Sequence, residues 1–324
     1  MQRRTFVTAA TATAATIVAP MLWAQNLPTG PVRIIVGFAP GGGTDILARV
    51  IGQKLAGMWN TQVIVENKAG ASGTIAADYV AKQPGDGATL LMAHINSHAI
   101  APALIKLNYN AETDFQAVAL VGVTPNLLIC NEHQPAKTVN DLVELCKKNP
   151  GKISFGSAGS GSAQHLALEM FKLAAKVDAI HVPYKGSGPM LTDLIGGTIQ
   201  YSFDTMTAAT PHVKSGKVIA IAQTRQKRAV GHPNVPTMAE SGFPGFEATT
   251  WYGLVGPAKM PVAMAKRMND DINKVLLLPD VMERLDASGA EEDGGSTEKF
   301  AQFMQVEARK WAKVIKDGGV KGEA

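Results

Sequence analysis

The chain has 324 residues, 46% of them hydrophobic and 18% charged, with a formal net charge of +4. That length has room for two domains, and the balance describes a globular chain rather than a disordered one. No run of like charges is long enough to track a phosphate backbone, so nucleic acid is excluded as a partner.

The first 24 residues differ from the rest. Arg3 and Arg4 form a basic start, Val7 to Val18 is a run of Ala, Thr and short aliphatics, Pro20 breaks it, and Ala24 offers a small residue for cleavage. This three-part layout predicts a secretory signal peptide over 1–24. Its apolar run falls short of the roughly 20 residues that a membrane helix needs. The paired arginines fit a twin-arginine signal as well as a general secretory one. No later segment is long and apolar enough to span a bilayer, so a periplasmic mature chain that is not membrane-spanning is expected.

Ile34, Ile35 and Val36 predict a strand over 32–37, which runs through Pro40 into Gly41, Gly42 and Gly43. Thr44 then opens a helix over 44–58 with Ile46, Leu47, Val50 and Ile51 on its apolar face. Three consecutive glycines leave backbone N–H groups unshielded by any Cβ, and the helix start adds unpaired donors and a positive dipole end. Such a turn is an anion seat made of backbone, for a carboxylate or a phosphate. Its plainer reading is a tight strand-to-helix turn. It is not a dinucleotide fingerprint, because the last glycine would fall on Ile46, and no GK[ST] completes a P-loop. Asp45, in the first helical turn, suits the dipole or a ligand hydroxyl.

A strand over 62–65, a loop over 67–73 and a helix over 74–83 follow, stopped by Pro84-Gly85-Asp86-Gly87. The next strand, 89–92, leads into His94-Ile95-Asn96-Ser97-His98. The two histidines would suit a metal only on a helix. They follow a strand directly and lack a carboxylate partner, so no metal or other cofactor is expected. Ser97 is the better site candidate, as a hydroxyl at a strand exit. Strands alternating with helices of this length predict parallel βαβ units.

Ala117 to Val123 is apolar, Thr124-Pro125 follows, and a new strand is expected over 127–130, which places a first crossover between lobes here. Thr138 and Asp141 have the spacing of a capping box. Cys130 and Cys146 lie on a strand and the next helix. A disulfide is permitted in an oxidising compartment, and buried free thiols are the simpler reading.

A strand over 153–157 enters a second glycine-rich turn, then a helix over 162–175. Ser157, Gly159, Ser160, Gly161 and Ser162 make a donor-rich turn at that helix start. A nucleophilic serine with His165 as base is the sharper alternative. No serine here has glycine two residues before and two after, and no acid orients the histidine. His165 therefore reads as a capping or supporting residue. Further on come a strand over 179–183, the turn Tyr184-Lys185-Gly186-Ser187-Gly188, and a helix over 189–195. Lys185 supplies a cleft cation or is simply solvated. A strand over 199–203 runs into Asp204 and Thr205, placed to bond a polar ligand group or to cap the helix over 207–215. After a strand over 218–223, Trp251 to Val255 is strand-like and reads as the return crossover. Pro261 opens a helix that Pro279 is expected to stop. The last helix runs from near Ser296 to Gly318, with Phe300, Met304, Ala308, Trp311 and Ile315 as its core stripe.

The expected fold is α/β, a hinged clamshell with lobe 1 formed by 25–123 and 252–324 and lobe 2 by 124–251. Strand ends and helix starts of both lobes would face the cleft, where open α/β sheets bind ligands. Two glycine seats on two lobes would grip the two ends of one small anion.

In chain order, VGFAPGGGTD, GKISFGSAGSGSAQHLA, HVPYKGSGPMLTDLIGG, FDT, VPTMAESGFPGFE and WYGLVGPAKMP resemble the Bug family, the TctC-like periplasmic receptors of tripartite tricarboxylate transporters. The likeness covers essentially the whole mature chain. It implies a periplasmic-binding-protein clamshell that is not an enzyme, usually a monomer, and that passes a small carboxylate to the membrane components of such a transporter. It also implies that backbone amides and bridging waters hold the carboxylate between Gly41 to Asp45 and Gly159 to Ser162, with Ser97, Tyr184, Asp204 and Thr205 as further walls. Two departures touch the first seat: the family often has proline where Gly37 stands, and commonly one glycine fewer than Gly41-Gly42-Gly43. A receptor reporting to a membrane sensor, and a secreted hydrolase using Ser160 or Ser162, are the rival readings.

Overall fold

The computed structural model describes residues 27–287, 289–290 and 294–318. The expected signal peptide over 1–24 lies outside the described residues.

The first parallel unit is β1 (Val32–Val36), α1 (Gly43–Trp59), β2 (Val63–Asn67), α2 (Thr74–Ala81) and β3 (Thr89–His94). β1 lies between β2 and β3 and is parallel to both. A short helix α3 (Ala101–Leu104) precedes β4 (Phe115–Asn131). The second unit contains α4 (Val139–Lys148), β5 (Ser154–Ser157), α5 (Ala163–Ala175), β6 (Ile180–Pro183), α6 (Ser187–Ile195) and β7 (Tyr201–Thr205). Here β5 is parallel to β6 and to β7. Then come α7 (Met206–Lys214), β8 (Val218–Gln223), β9 (Thr249–Pro257), α8 (Val262–Leu276), α9 (Pro279–Ala287) and α10 (Thr297–Gly318).

The result is a two-lobe α/β clamshell, and one strand joins its two sheets. β4 pairs antiparallel with β9 from Phe115 to Pro125, then with β7 from Asn126 to Cys130 and with β8 from Leu127 to Asn131. The sequence suggested two segments broken at Thr124-Pro125, but β4 is continuous. The proline's missing donor falls where the strand changes partners, so no ladder bond is lost there. Immediately beyond it the Asn126 N–H donates to Thr224 Oγ1 at 2.9 Å. β9 also pairs antiparallel with β3, so each long strand breaks the all-parallel pattern that the βαβ reading implied.

Helices cover both faces of each sheet, as buried parallel strands require. On one face of the first sheet Leu47, Val50 and Ile51 of α1 pack with Met264, Met268 and Ile272 of α8. On the other, Phe300, Trp311 and Ile315 of α10 pack against Trp251, so the C-terminal stripe is core. Cys130 and Cys146 share the core of the second lobe as free buried thiols, and burial pushes each up to about 11. Thr138 caps α4 by accepting from the Asp141 N–H at 3.2 Å.

Three other expectations change. His94 to Ile100 is not an irregular strand exit: Asn96–Ile100 is a π-helical turn leading into α3. The Asn96 N–H donates to His94 Nδ1 at 3.1 Å, and the Ser97 hydroxyl donates to the His94 carbonyl at 3.2 Å, which closes this turn. Pro279 does not stop α8, which has already ended at Leu276. Instead it opens α9, where its fixed φ is preorganised for a first helical position. The helix expected from 189 begins at Ser187, two residues nearer the cleft.

Candidate functional site

The lobes meet around a cavity of about 750 Å³. Hydrogen bonds at its edges and beside it join the lobes. The Ala39 N–H donates to the Lys185 carbonyl at 2.9 Å, the Ser72 hydroxyl to the Ser160 carbonyl at 2.6 Å, and the Ala163 N–H to Asn96 Oδ1 at 2.9 Å. Backbone approaches backbone closely enough that side chains are barred. A Cβ on Gly188 would stand 2.0 Å from the Pro40 carbonyl oxygen, and one on Gly186 2.9 Å from the Ala39 nitrogen.

The first glycine loop is braced from within. Gly41 adopts φ +84°, and its N–H donates to Asp45 Oδ2 at 3.1 Å. The same carboxylate accepts from Arg49 Nε at 3.0 Å and from Asn67 Nδ2 at 2.9 Å. Burial alone would raise the Asp45 carboxyl, but the bonds from Arg49, Asn67 and Gly41 outweigh it and hold the group below the usual carboxylate range. Asp45 therefore fixes the loop instead of facing the cavity. Gly42, Gly43 and Thr44 border a neighbouring gap of about 10 Å³, together with Ser187, Thr205 and Tyr252. That gap holds no more than a single water.

The second glycine loop commits its amides locally. The Gly159 N–H donates to Ser157 Oγ at 3.1 Å, Gly161 N–H to His165 Nδ1 at 3.0 Å, and Ser162 N–H to the Gly159 carbonyl at 3.0 Å. Ser162 caps α5 by accepting from the His165 N–H at 3.2 Å. The His165 ring stacks on His181 with centroids 3.8 Å apart, and His181 Nε2 lies 2.7 Å from Ser157 Oγ. Gly159, Ser160 and Gly161 reach the cavity wall, whereas Ser157, Ser162 and His165 stand behind it as its frame.

Tyr184 lines the cavity. Its hydroxyl donates to Asp193 Oδ2 at 2.7 Å, and burial together with that carboxylate pushes it up to about 12. Asp204 is fully buried beneath the wall, where its Oδ1 accepts from the Ser187 hydroxyl at 2.5 Å and the Thr205 N–H at 2.8 Å. Its Oδ2 has no partner among the described residues. Burial pushes this carboxyl up to about 6 against the downward pull of Ser187, Thr205 and Gln164. Thr205 caps α7. Ser97 is buried and lies 2.9 Å from His98 Nδ1, away from the cavity wall. Burial lowers His94 and His98 to about 3, so both rings are neutral core groups. No cluster of three or more metal-ligating side chains occurs among the described residues.

Several wall residues lay outside the sequence reading: Phe38, Ala39, Ala71, Ser72, Leu104 and Ile105. Ala71 and Ser72 hold φ values of +45° and +52°, a left-handed backbone that non-glycine residues rarely take and that clusters at binding sites. Their bracketing by Gly70 and Gly73 was the available signal. Among the described wall residues Lys185 is the one cation, and none is acidic.

The profile of the tripartite tricarboxylate transporter family receptor, TctC, matches residues 47–320. The chain belongs to this family. BugT from Bordetella pertussis is 34% identical to this TctC-family receptor over 92% of both chains. An R. palustris protein solved with adipate superposes with a TM-score of 0.87 at 34% identity, covering 91% of this chain and 99% of its own. MatC from Rhodopseudomonas palustris, with bound malate, gives a TM-score of 0.84 at 33% identity, covering 89% and 100%. The TctC-family receptor is thus a solute-binding protein whose relatives hold carboxylates, and none of its described helices is long and apolar enough to cross a membrane.

Proposed function

We propose that this receptor works in the periplasm, closes its lobes on a small carboxylate, and delivers it to the membrane components of a tripartite tricarboxylate-type transporter. The observation that carries this reading is the cleft between the lobes, framed by Gly37 to Ala39 before the first loop and by Gly159 to Gly161 of the second. Cross-lobe bonds such as Ala39 to Lys185 exist only in the closed form, so a ligand touching both walls stabilises that form selectively. The wall offers backbone and one lysine, a suitable environment for a single carboxylate and an unsuitable one for a cation. On this reading the lobes divide near 123–124 and 251–252, close to where β4 exchanges its β9 partner for β7 and β8. The hydrolase reading finds no support, because Ser162 is spent as a helix cap and His165 accepts from the Gly161 amide.

The test is calorimetric titration of the mature protein with a wide panel of carboxylates and their neutral amides, adipate and malate included. Binding by at least one acid and not by its amide is expected. Equal binding of acid and amide would refute the carboxylate seat. Uptake of that acid into vesicles carrying the membrane components, dependent on added receptor, tests delivery.

A further inference from the structure

A second cavity, of about 260 Å³, lies in the first lobe and shares no lining residue with the cleft. The short helix α3 contributes to both, giving Ala101 and Leu104 to the cleft and Pro102 to this cavity. Buried His98, Phe115 and Ala117 form its inner part, and exposed Glu112 and Arg309 its mouth. One wall is α10. There Phe300, Trp311 and Ile315 are buried, whereas Ala301, Met304 and Ala308 stay half-buried because they border this space.

One buried polar group of the lining is left without a partner. His98 is 3% exposed, and its Nε2 meets no donor among the described residues. Its tautomer follows from its neighbours. The Ser97 hydroxyl gives its single proton to the His94 carbonyl at 3.2 Å, so Ser97 Oγ accepts from the His98 Nδ1–H at 2.9 Å. Burial keeps the ring neutral, which leaves Nε2 a bare acceptor. Neighbouring rings do not serve it. The Tyr109 hydroxyl donates to the Ser97 carbonyl at 2.7 Å, and Trp251 Nε1 is itself unpartnered although its ring lies 6.3 Å from that of His98. An acceptor buried without a donor costs free energy, which a ligand's donor would recover.

We infer that this cavity is a second ligand site, for an uncharged single-ring phenol whose hydroxyl donates to His98 Nε2. Size limits the ligand to one ring. An apolar cavity of about 150 Å³ takes benzene, so about 260 Å³ has room for a ring, its hydroxyl and one more small substituent. The walls suit an aromatic body. The His98 and Phe115 rings are 4.7 Å apart and tilted by 58°, an arrangement that a further ring can extend, and the Met304 thioether is a favourable partner for a ring. A carboxylate offers no donor and would set its charge against the Nε2 lone pair. The acids proposed for the cleft are therefore disfavoured here, and neither inference depends on the other.

The experiment is NMR of the mature chain with isotope-labelled methionine methyl groups, titrated with p-cresol, anisole and toluene. The Met304 methyl, assigned by its loss in Met304→Leu, should shift saturably with p-cresol. Anisole keeps the ring and the oxygen but has no proton to donate, and toluene lacks the oxygen as well. Both should bind roughly fivefold more weakly, the worth of one hydrogen bond. Anisole binding as tightly as p-cresol would overturn the inference, as would a Met304 signal that p-cresol leaves in place or shifts confined to methionines elsewhere. Ala308→Phe fills the space from a half-buried position and should weaken p-cresol at least tenfold. A folded Ala308→Phe variant that keeps wild-type affinity would place the phenol outside this cavity and overturn the inference too. If that variant does not fold, the comparison of p-cresol with anisole on the wild-type chain still decides.

Discussion

The two glycine loops look alike in sequence and behave differently in the folded protein. The first, Gly41 to Asp45, is locked from one side by a carboxylate that gathers Gly41, Arg49 and Asn67. The second, Gly159 to His165, is locked by neutral partners, Ser157, Ser162 and the His165 ring. The first leaves Gly42 to Thr44 at a helix start, where four N–H groups lack intrahelical partners. The second spends most of its amides on itself, with Ala163 reaching across to Asn96, and presents mainly shape. Glycine content specifies a turn that can approach another chain closely; what neighbouring side chains do with its amides decides whether the turn is a seat or a wall.

The largest effect should come from separating the first loop from the start of α6. Gly188→Val places a branched side chain into the Pro40 carbonyl, which no local adjustment accommodates while the lobes are shut. Ligand affinity should fall at least 100-fold, about 2.7 kcal/mol, with the unliganded melting temperature nearly unchanged. Calorimetry and small-angle scattering would show this, and a variant that still closed on ligand would refute the contact's importance.

Next is the buried carboxylate of Asp204. Because burial raises Asp204 to about 6 from 3.8, the native protein binds more protons than the unfolded chain between those values. Stability should therefore rise as pH falls from about 6 to about 4, by an amount on the order of 2–3 kcal/mol. Asp204→Asn should abolish that contribution in urea unfolding curves taken across this window. A persistent slope in the variant would assign the effect elsewhere.

The locks themselves should differ in the expected direction. Asp45→Ala removes charge-assisted bonds and should cost roughly 2 kcal/mol, whereas His165→Ala removes neutral ones and should cost roughly 1 kcal/mol. The Asp45 carboxyl is held low, so its contribution is complete at neutral pH and lost only as pH falls through its depressed native value. Denaturant midpoints of both variants at pH 7 and pH 3 would test the contrast: the gap between wild type and Asp45→Ala should narrow in acid. Smallest of all, Thr138→Ala deletes a helix cap far from both loops. It should cost about 1 kcal/mol and leave ligand affinity untouched, a reference against which the other variants are read.

Much of the fold was legible because its signals are local. Apolar strands before glycine turns marked β1 and β5, the Thr138 to Asp141 spacing marked α4, and the stripe from Phe300 to Ile315 marked α10. β4 was harder, since a proline usually breaks a strand and only a change of partner makes it harmless. The candidate cavity was legible only in part. Gly159 to Gly161 and Tyr184 lie on the cavity wall and His165 supports its loop as read, whereas Gly41 to Gly43 lie off that wall and Asp45 and Ser157 brace the loops from behind. Direction of a side chain depends on tertiary partners such as Asn67 or His181, which no spacing reveals. Phe38, Leu104 and Ile105 escaped notice for a related reason: an apolar residue facing a ligand and one facing the core look the same in sequence.

The way β9 joins the first sheet also sets an order of assembly. Leu91 of β3 has to wait for Val255, whereas β5, β6 and β7 find each other within one continuous stretch of chain. The inserted half can reach its native pairing while the flanking half still lacks a strand and the α8 and α10 helices that cover it. On a chain emerging from its amino end, the first sheet is left with an open edge along β3 until the last third arrives. That edge is an invitation to wrong partners, so the slow, aggregation-prone step in making this receptor should be the late docking of β9 between β3 and β4.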